Sequence, residues 1–295
     1  MVSYIDLPRA ELQRVIDHAL EEDIGWGDAT TSALIGPRWS AQGRVVAKGN
    51  GILAGIDVLA QVFRTVDERI VVDILCADGT LVAPGMALAS IAGPAAGILS
   101  AERVALNFVQ RLSGIASLTR RYVEAVAGIP VHIVDTRKTT PGLRSLEKYA
   151  VRVGGGHNHR HNLSDGVLIK DNHLVALKQE GYDLARIIAQ ARERVPHTVK
   201  IEVEVETPEA AEEAAEAGAD IIMLDNMTLD QMRRAVDLVA GQALVEASGG
   251  INLETVRAVA ETGVDLISVG ALTHSASALD ISLDLELQPT STSTV

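Results

Sequence analysis

Residues 200–226 read KIEVEVETPEAAEEAAEAGADIIMLDN, and the repeating unit of the fold is clearest here. Two short strand-like runs flank a segment that begins at Pro208 and ends at Gly218, as a helix between two strands does. Strands that alternate with helices predict a parallel sheet, and the number of repeats predicts a TIM-like α/β barrel, complete or slightly open. The strand pattern occurs six times, at 131–136, 166–171, 200–206, 219–226, 243–250 and 264–271.

The first third of the chain lacks this repeat. It predicts a helix over 8–22, strand-like runs over 43–55 and 70–75, and a helix over 57–66. A long helical pattern begins near Gly97 and could bridge two domains. We therefore predict a separate N-terminal domain.

Composition supports an α/β protein. Hydrophobic residues make up 47% of the 295 residues but aromatic residues only 3%, so Ala, Val, Leu and Ile must fill the core. Cys76 is the single cysteine, which excludes an intrachain disulfide and fits a reducing compartment. We expect a cytoplasmic protein without a membrane partner, because the sequence shows neither a signal peptide nor a membrane span.

Positive charge is concentrated in one stretch of an acidic chain. The formal net charge is −13, yet residues 135–173 hold seven Lys/Arg and four of the eight histidines against four Asp/Glu. The rest of the chain has 19 basic and 35 acidic residues. This balance argues against nucleic acid as the main partner. A local cationic site instead predicts a small, strongly anionic ligand held in a pocket.

The active site of an α/β barrel lies at the C-terminal ends of its strands. Glu202, Glu204 and Glu206 share one face of their strand and would point into the barrel, where they need cations or Mg2+ as partners. The alternative is an edge strand with a solvated acidic face. The residues that end the six strands are cations, carboxylates and glycine turns: Asp135, Thr136, Arg137, Lys138, Lys170, Asp171, Glu202, Glu204, Glu206, Asp225, Asn226, Ser248, Gly249, Gly250, Val269, Gly270 and Ala271.

Two short motifs each allow more than one interpretation. The turns 248–250 and 269–271 would present backbone N–H groups to a phosphate, although glycine also closes ordinary strand-to-helix turns. HNHRH at 157–161 could bind zinc, or it could be a purely structural loop. Arg160 within the motif and Lys170 nearby favour an anion over a metal.

The order and spacing of several motifs identify a family. The sequences EDIGWGDATT, ERVALNFVQRLSG, IEVEVE, IIMLDNM, EASGGI and VGAL accompany the long basic block 135–173. Together they resemble quinolinate phosphoribosyltransferase, also called carboxylating nicotinate-nucleotide pyrophosphorylase, from about Glu21 to Leu272. The block 135–173 is the specific part of the match.

The resemblance implies an α/β protein with an N-terminal α/β sandwich domain and an open TIM-like α/β barrel. The sandwich would span 1–112, with 276–288 returning to it, and the barrel 113–275; a disordered tail would follow at 289–295. A homodimer or a hexamer is implied. The reaction would be that of a pentosyltransferase: quinolinate and 5-phosphoribosyl-1-pyrophosphate give nicotinate mononucleotide, pyrophosphate and CO2 in de novo NAD synthesis, with Mg2+.

The resemblance also implies roles for individual residues. Lys138, Glu204 and Asp225 would be catalytic, with Glu204 and Asp225 near Mg2+ and the ribose. Arg103 would be donated by the partner subunit. The remaining substrate contacts would come from Thr136, Arg137, His159, Arg160, Lys170, Ser248, Gly249, Gly250, Val269, Gly270 and Ala271.

The chemistry of these residue types is consistent with such substrates. Arginine offers planar, paired donors for carboxylates, and Lys with Mg2+ suits a pyrophosphate leaving group. Three other functions stay open on the residues alone. They are a related phosphoribosyltransferase associated with molybdate transport, a zinc-dependent barrel hydrolase using 157–161, and a non-catalytic phosphate-sensing or assembly barrel.

Overall fold

The computed structural model describes residues 9–289, which form two compact units. Of the described residues, 9–120, 140–155 and 276–289 belong to the first unit, and 121–139 and 156–275 to the second. Each unit is a set of residues in mutual contact and includes several separate segments of the chain. This grouping does not test a domain boundary in the sequence, so the boundary expected at 112/113 stays a prediction. The expected tail 289–295 lies outside the described residues, apart from Pro289.

Helices and strands alternate through most of the described chain. The helices are α1 (Arg9–Ile24), α2 (Ala29–Leu34), α3 (Ile56–Val66), α4 (Ala95–Ala125), α5 (Arg144–Val153), α6 (Asp171–Gln179), α7 (Leu184–Arg194), α8 (Pro208–Glu216), α9 (Leu229–Val239), α10 (Val256–Ala260) and α11 (Ala271–His274). The strands are β1 (Trp39–Ala47), β2 (Gly51–Ile52), β3 (Val71–Ile74), β4 (Leu81–Val82), β5 (Ala87–Pro94), β6 (His132–Val134), β7 (Val167–Ile169), β8 (Ile201–Val205), β9 (Ile221–Asp225), β10 (Leu244–Ser248), β11 (Leu266–Ser268) and β12 (Ile281–Pro289). Among residues 9–289, no helix has both the length and the hydropathy to cross a bilayer.

The first unit is built on an antiparallel sheet. Its strand order is β12-β1-β5-β3, and β12 pairs with β1 from Trp39 opposite Pro289 to Ala47 opposite Ile281. Helix α3 contacts β3 and buries one apolar face that includes Leu59. Helices against one sheet confirm the predicted N-terminal α/β sandwich, with the last strand supplied by the C-terminal end of the described chain.

The second unit contains one parallel sheet of six strands in the order β6-β11-β10-β9-β8-β7. All six predicted strands are present. The terminal strands β6 and β7 are not hydrogen-bonded to each other, and beyond β6 only an isolated parallel bridge joins Val134 to His157. The sheet is therefore an open barrel, and the predicted fold class is confirmed.

Local sequence signals explain why strands and helices alternate here. Thr207 accepts a hydrogen bond from the backbone of Ala210, and Pro208 begins α8, whereas Thr228 and Gln231 form a capping box on α9. These caps begin a helix shortly after β8 and after β9. The C-terminal ends of the parallel strands lie at one edge of the sheet, so the polar residues that follow them gather there. Because β8 lies between β7 and β9, the alternative of an exposed acidic edge strand is wrong.

Candidate active site

Asp135 connects the end of β6 to the basic segment after α5. Its buried carboxylate accepts hydrogen bonds from the backbone N–H of His159 at 2.8 Å and from the Asn158 side chain at 2.7 Å. The backbone of His157 also bonds to Ile133 and to Asp135. Two parts of the basic stretch that are distant in sequence therefore converge at one end of β6.

Three of the predicted substrate-binding cations line one cavity beside β7. The cavity has a volume of about 460 Å3 and is lined by Arg137, Arg160 and Lys170, among others. Burial and the nearby charge of Arg137 lower the pKa of Arg160. Arg160 also donates to the carbonyl of Gly166 at 3.0 Å. Arg137 and Arg160 are half-buried and Lys170 is exposed. Cations that line one cavity favour the binding of a compact anion.

Glu202 and Glu204 lie on β8 and Glu206 follows it, and the exposure of the three side chains increases along the chain. Glu202 is buried, Glu204 is half-buried and Glu206 is exposed. Glu204 accepts a hydrogen bond from the Lys170 ammonium group at 2.8 Å. The predicted need of these inward carboxylates for cationic partners is thus met by Lys170 at Glu204.

The ends of β9 and β10 bring Asp225 and Ser248 side by side, since the two residues are partners in the parallel register. Gly249 follows in a left-handed conformation with φ 96°, and a side chain there would collide with Asn226. Asn226 itself donates to the Asp225 carboxylate at 2.9 Å. Glycine is therefore required at 249 by both backbone conformation and space.

The turn 269–271 lies next to the end of β6. The backbone N–H of Val269 donates to the carbonyl of Val134, and the position of a Cβ on Gly270 would lie 3.1 Å from Cδ of Lys138. Lys138 is exposed, and its backbone N–H donates to the hydroxyl of Thr136. The structure thus brings Thr136 and Lys138 to the predicted phosphate turn.

Arg103 belongs to the first unit. It lies on α4, and its side chain is exposed. Its contribution across a subunit interface stays a prediction.

Glu246 is a buried carboxylate that the sequence patterns did not single out. It lies in a cluster with His159 and Glu202. Nε2 of His159 is 3.0 Å from Oε2 of Glu202 and 3.7 Å from Oε2 of Glu246. Among the described residues, neither oxygen of Glu246 has a hydrogen-bond partner. The sequence does not mark Glu246, because its neighbours on the same face of β10, Leu244 and Ser248, are uncharged.

This cluster contains three potential metal ligands, but its hydrogen bonds disfavour zinc. Nδ1 of His159 accepts from the backbone N–H of Arg160 at 2.8 Å, so a neutral ring carries its proton on Nε2. A ring nitrogen that donates to Glu202 has no lone pair for a metal. The two other histidines of the motif point elsewhere: His157 lies against the His132 ring, and His161 is exposed.

Glu246 should make the folding stability depend on pH. Burial, followed by the nearby Glu202 charge, raises the pKa of Glu246 from 4.5 to about 7. Between these values the folded chain binds a proton that the unfolded chain has released, so the free energy of unfolding falls as pH rises. At pH 8 we expect Glu246→Gln to increase the free energy of unfolding relative to wild type by about 3 kcal/mol, and so to raise the thermal midpoint. At pH 4.5 the two proteins should be nearly equal.

The exposed Glu254 provides the matched control. Glu254→Gln should lack the stabilisation at pH 8 that we expect of Glu246→Gln, because it removes no buried carboxylate. If the difference between Glu246→Gln and wild type is the same at pH 4.5 and pH 8, the pKa of Glu246 is not raised by folding and the prediction is wrong.

A larger cavity, of about 770 Å3, lies within the first unit between α1 and α4. None of the predicted site residues lines it. We place the candidate site in the second unit because the cations and carboxylates meet there.

Comparison with known proteins identifies the family. The family model for the quinolinate phosphoribosyl transferase C-terminal domain matches residues 115–284, and that for the N-terminal domain matches 28–113. A Bacillus subtilis (strain 168) protein named probable nicotinate-nucleotide pyrophosphorylase (carboxylating) is 46% identical over 277 residues, 94% of each chain. A Nicotiana glauca protein named quinolinate phosphoribosyltransferase (decarboxylating) 2, mitochondrial, is 41% identical over 95% of this chain and 84% of its own. The crystal structure of NadC from Streptococcus pyogenes has a TM-score of 0.91 and 44% identity, covering 96% of this chain and 99% of that one. The resemblance inferred from the motifs is confirmed: the chain belongs to the quinolinate phosphoribosyltransferase family.

Proposed function

We propose that the chain transfers the phosphoribosyl group of 5-phosphoribosyl-1-pyrophosphate to quinolinate with decarboxylation. The products are nicotinate mononucleotide, pyrophosphate and CO2. The observation that carries this proposal is the cavity where Arg137, Arg160 and Lys170 meet, beside the strand that bears Glu204. The names of the Bacillus subtilis and Nicotiana glauca relatives describe the two sides of this same reaction.

The cations suit an aromatic dicarboxylate. Two guanidinium groups can each form paired hydrogen bonds to a carboxylate, and Lys170 adds a third positive charge at the cavity. Burial lowers the pKa of Arg160, so an anion bound beside it would offset the loss of solvent around its charge. A monocarboxylate would leave part of this charge without a partner, so the site favours quinolinate over nicotinate. His159 lines a second cavity that shares Arg160 with this one, and its ring would border the acid site from that side.

The carboxylates suit the sugar and the metal. Glu204 and Asp225 lie near the ends of the adjacent strands β8 and β9. Mg2+ prefers oxygen donors and commonly keeps one or two protein carboxylates together with substrate phosphates and water, so these residues fit it. Mg2+ held by Glu204 and Asp225 would neutralise charge on the departing pyrophosphate. The turns 248–250 and 269–271 would hold the 5-phosphate.

The reaction then follows from positioning and charge. Pyrophosphate leaves C1 of the ribose with Lys138 nearest the reacting centre, and the pyridine nitrogen of quinolinate attacks C1. Glu204 stabilises the positive charge that develops on the sugar, as carboxylates do in glycoside hydrolysis. The new ring cation then stabilises the carbanion that remains when the carboxylate beside nitrogen leaves as CO2, and a proton taken from solvent at that carbon gives nicotinate mononucleotide. Holding the two anions together contributes roughly 7 to 11 kcal/mol in favourable cases.

The Lys170–Glu204 ion pair explains how the two substrates would come to lie side by side. It joins a cation assigned to the acid and a carboxylate assigned to the sugar at 2.8 Å. If these assignments hold, the acid and ribose sites would be adjacent in the second unit.

The test is a direct assay of the purified chain with quinolinate, 5-phosphoribosyl-1-pyrophosphate and Mg2+. We expect pyrophosphate, CO2 and nicotinate mononucleotide in equal amounts, and no turnover when quinolinate is omitted. Pyrophosphate release with another acid or base but not with quinolinate would instead indicate the molybdate-associated type. Binding of 5-phosphoribosyl-1-pyrophosphate without pyrophosphate release would indicate a sensing role, and both results would overturn the proposal.

Assembly and location complete the proposal. We infer a homodimer, or a hexamer built from dimers, in which Arg103 reaches the site of the partner subunit. We also propose a cytoplasmic location, which the single cysteine supports because it fits a reducing compartment.

A further inference from the structure

Thr273 connects the two loops that carry the proposed site. It lies on α11, and its side chain is fully buried. Its hydroxyl group is 2.7 Å from the carbonyl oxygen of Lys138 and 3.2 Å from that of Gly270. A hydroxyl has one proton to donate, and the shorter distance makes the Lys138 carbonyl its main acceptor.

Lys138 needs such an anchor because it lies on an exposed loop after β6. Its backbone N–H bonds to Thr136, which belongs to the same loop and cannot fix that loop in space. The hydroxyl of Thr273 donates to the backbone carbonyl of Lys138, and Thr273 belongs to a different element, α11.

The Lys138 side chain contacts the same turn as its backbone. A Cβ placed on Gly270 would lie 3.1 Å from Cδ of Lys138 and 3.1 Å from Nε2 of His274. The aliphatic part of Lys138 therefore passes over the glycine, where a side chain would displace it. Backbone and side chain together hold Lys138 against the turn 269–271.

We propose that Thr273 is a positioning residue for Lys138, which it holds against the turn 269–271 through a single buried hydroxyl group. The inference rests on the proposed function for the role of Lys138. Thr273 does not touch the substrates; it acts through the geometry of the loop. A displacement of about 1 Å in a reacting group can lower the rate about 100-fold, so loss of one hydroxyl can have a large effect.

The second unit offers a matched control for this hydroxyl. Thr262 is also buried, and its hydroxyl donates to the carbonyl of Val259 at 2.6 Å. None of the predicted site residues takes part in that bond. Replacement by valine removes a buried hydroxyl of the same kind at both positions.

The experiment compares Thr273→Val, Thr273→Ser and Thr262→Val by steady-state kinetics and thermal unfolding. We expect Thr273→Val to lower kcat about 10- to 100-fold while the KM for quinolinate changes little. Thr273→Ser should restore most of kcat, because it keeps the hydroxyl. Thr262→Val should keep the wild-type kcat and lose a similar amount of thermal stability. If Thr273→Val does not fold, Thr273→Ala takes its place.

A double variant separates positioning from general damage. In a Lys138→Ala background, Thr273→Val should have little further effect on kcat, since the group that it positions is gone. Additive losses would overturn the inference, as would equal kcat values for Thr273→Val and wild type.

Hydrogen–deuterium exchange provides a measurement that does not depend on the reaction. Backbone amides of 135–139 should exchange faster in Thr273→Val than in Thr262→Val, and equal rates would overturn the inference. An inactive wild-type protein with the expected exchange difference would instead contradict the proposed function alone.

Discussion

Replacement of Lys138 by alanine is expected to lower kcat with quinolinate and 5-phosphoribosyl-1-pyrophosphate about 100- to 1,000-fold, the usual cost of losing one electrostatic stabiliser of a transition state. Lys138 is exposed and lies against the turn 269–271, whereas Lys170 is paired with Glu204. A positive charge at position 138 can therefore serve the departing pyrophosphate. The measurement is the steady-state rate of pyrophosphate release at saturating substrates.

Lys48 is a suitable control for the loss of a lysine. Its side chain is partly exposed in the first unit and lies 3.6 Å from Asp284. We expect Lys48→Ala to keep the wild-type rate. Similar, small losses in the two variants would remove Lys138 from the mechanism.

The strands of the barrel could be predicted because their signals are local. Each run of the second unit is short and apolar, and the turns that follow carry caps or glycine, as at Thr207 and Gly249. The long helix α4 could be predicted for a similar reason, because its helical sequence pattern is uninterrupted over the whole helix. These elements needed no knowledge of distant contacts.

The buried hydrogen-bond network could not be predicted in the same way. The bonds from His159 to Asp135 and from Thr273 to Lys138 join residues that are far apart in sequence. Nothing in the neighbours of Asp135 or Thr273 distinguishes a connecting role from an ordinary polar residue. Such partners become evident only when the strand order is known.

Glu246 illustrates a different limit. Three glutamates in alternation made β8 conspicuous, whereas a single glutamate in β10 does not form a pattern. Its burial depends on the positions of β9 and β11 on either side. Asp225 is also a single carboxylate, but it could be anticipated because it ends β9, whereas Glu246 lies in the middle of β10.

A hybrid of Arg103→Ala and Lys138→Ala subunits is expected to recover activity that each variant alone has lost. Arg103 lies exposed on α4 in the first unit, and Lys138 belongs to the second. If each site takes Arg103 from the partner subunit, one site of the hybrid dimer has both substitutions and the other has neither. Differently tagged subunits, coexpressed and purified through both tags, should show about half of the wild-type kcat per dimer.

The control hybrid combines Lys138→Ala with Lys170→Ala, two residues of the same unit. Each of its sites carries one substitution if both residues come from one subunit, so its activity should stay as low as that of the parent variants. Recovery in the first hybrid but not in the second would demonstrate that the site is shared between subunits. A stable hybrid of Arg103→Ala and Lys138→Ala that is no more active than its parents would show that Arg103 does not serve the partner's site. If Arg103 served its own subunit, each site of the hybrid would carry one substitution and neither would be complete.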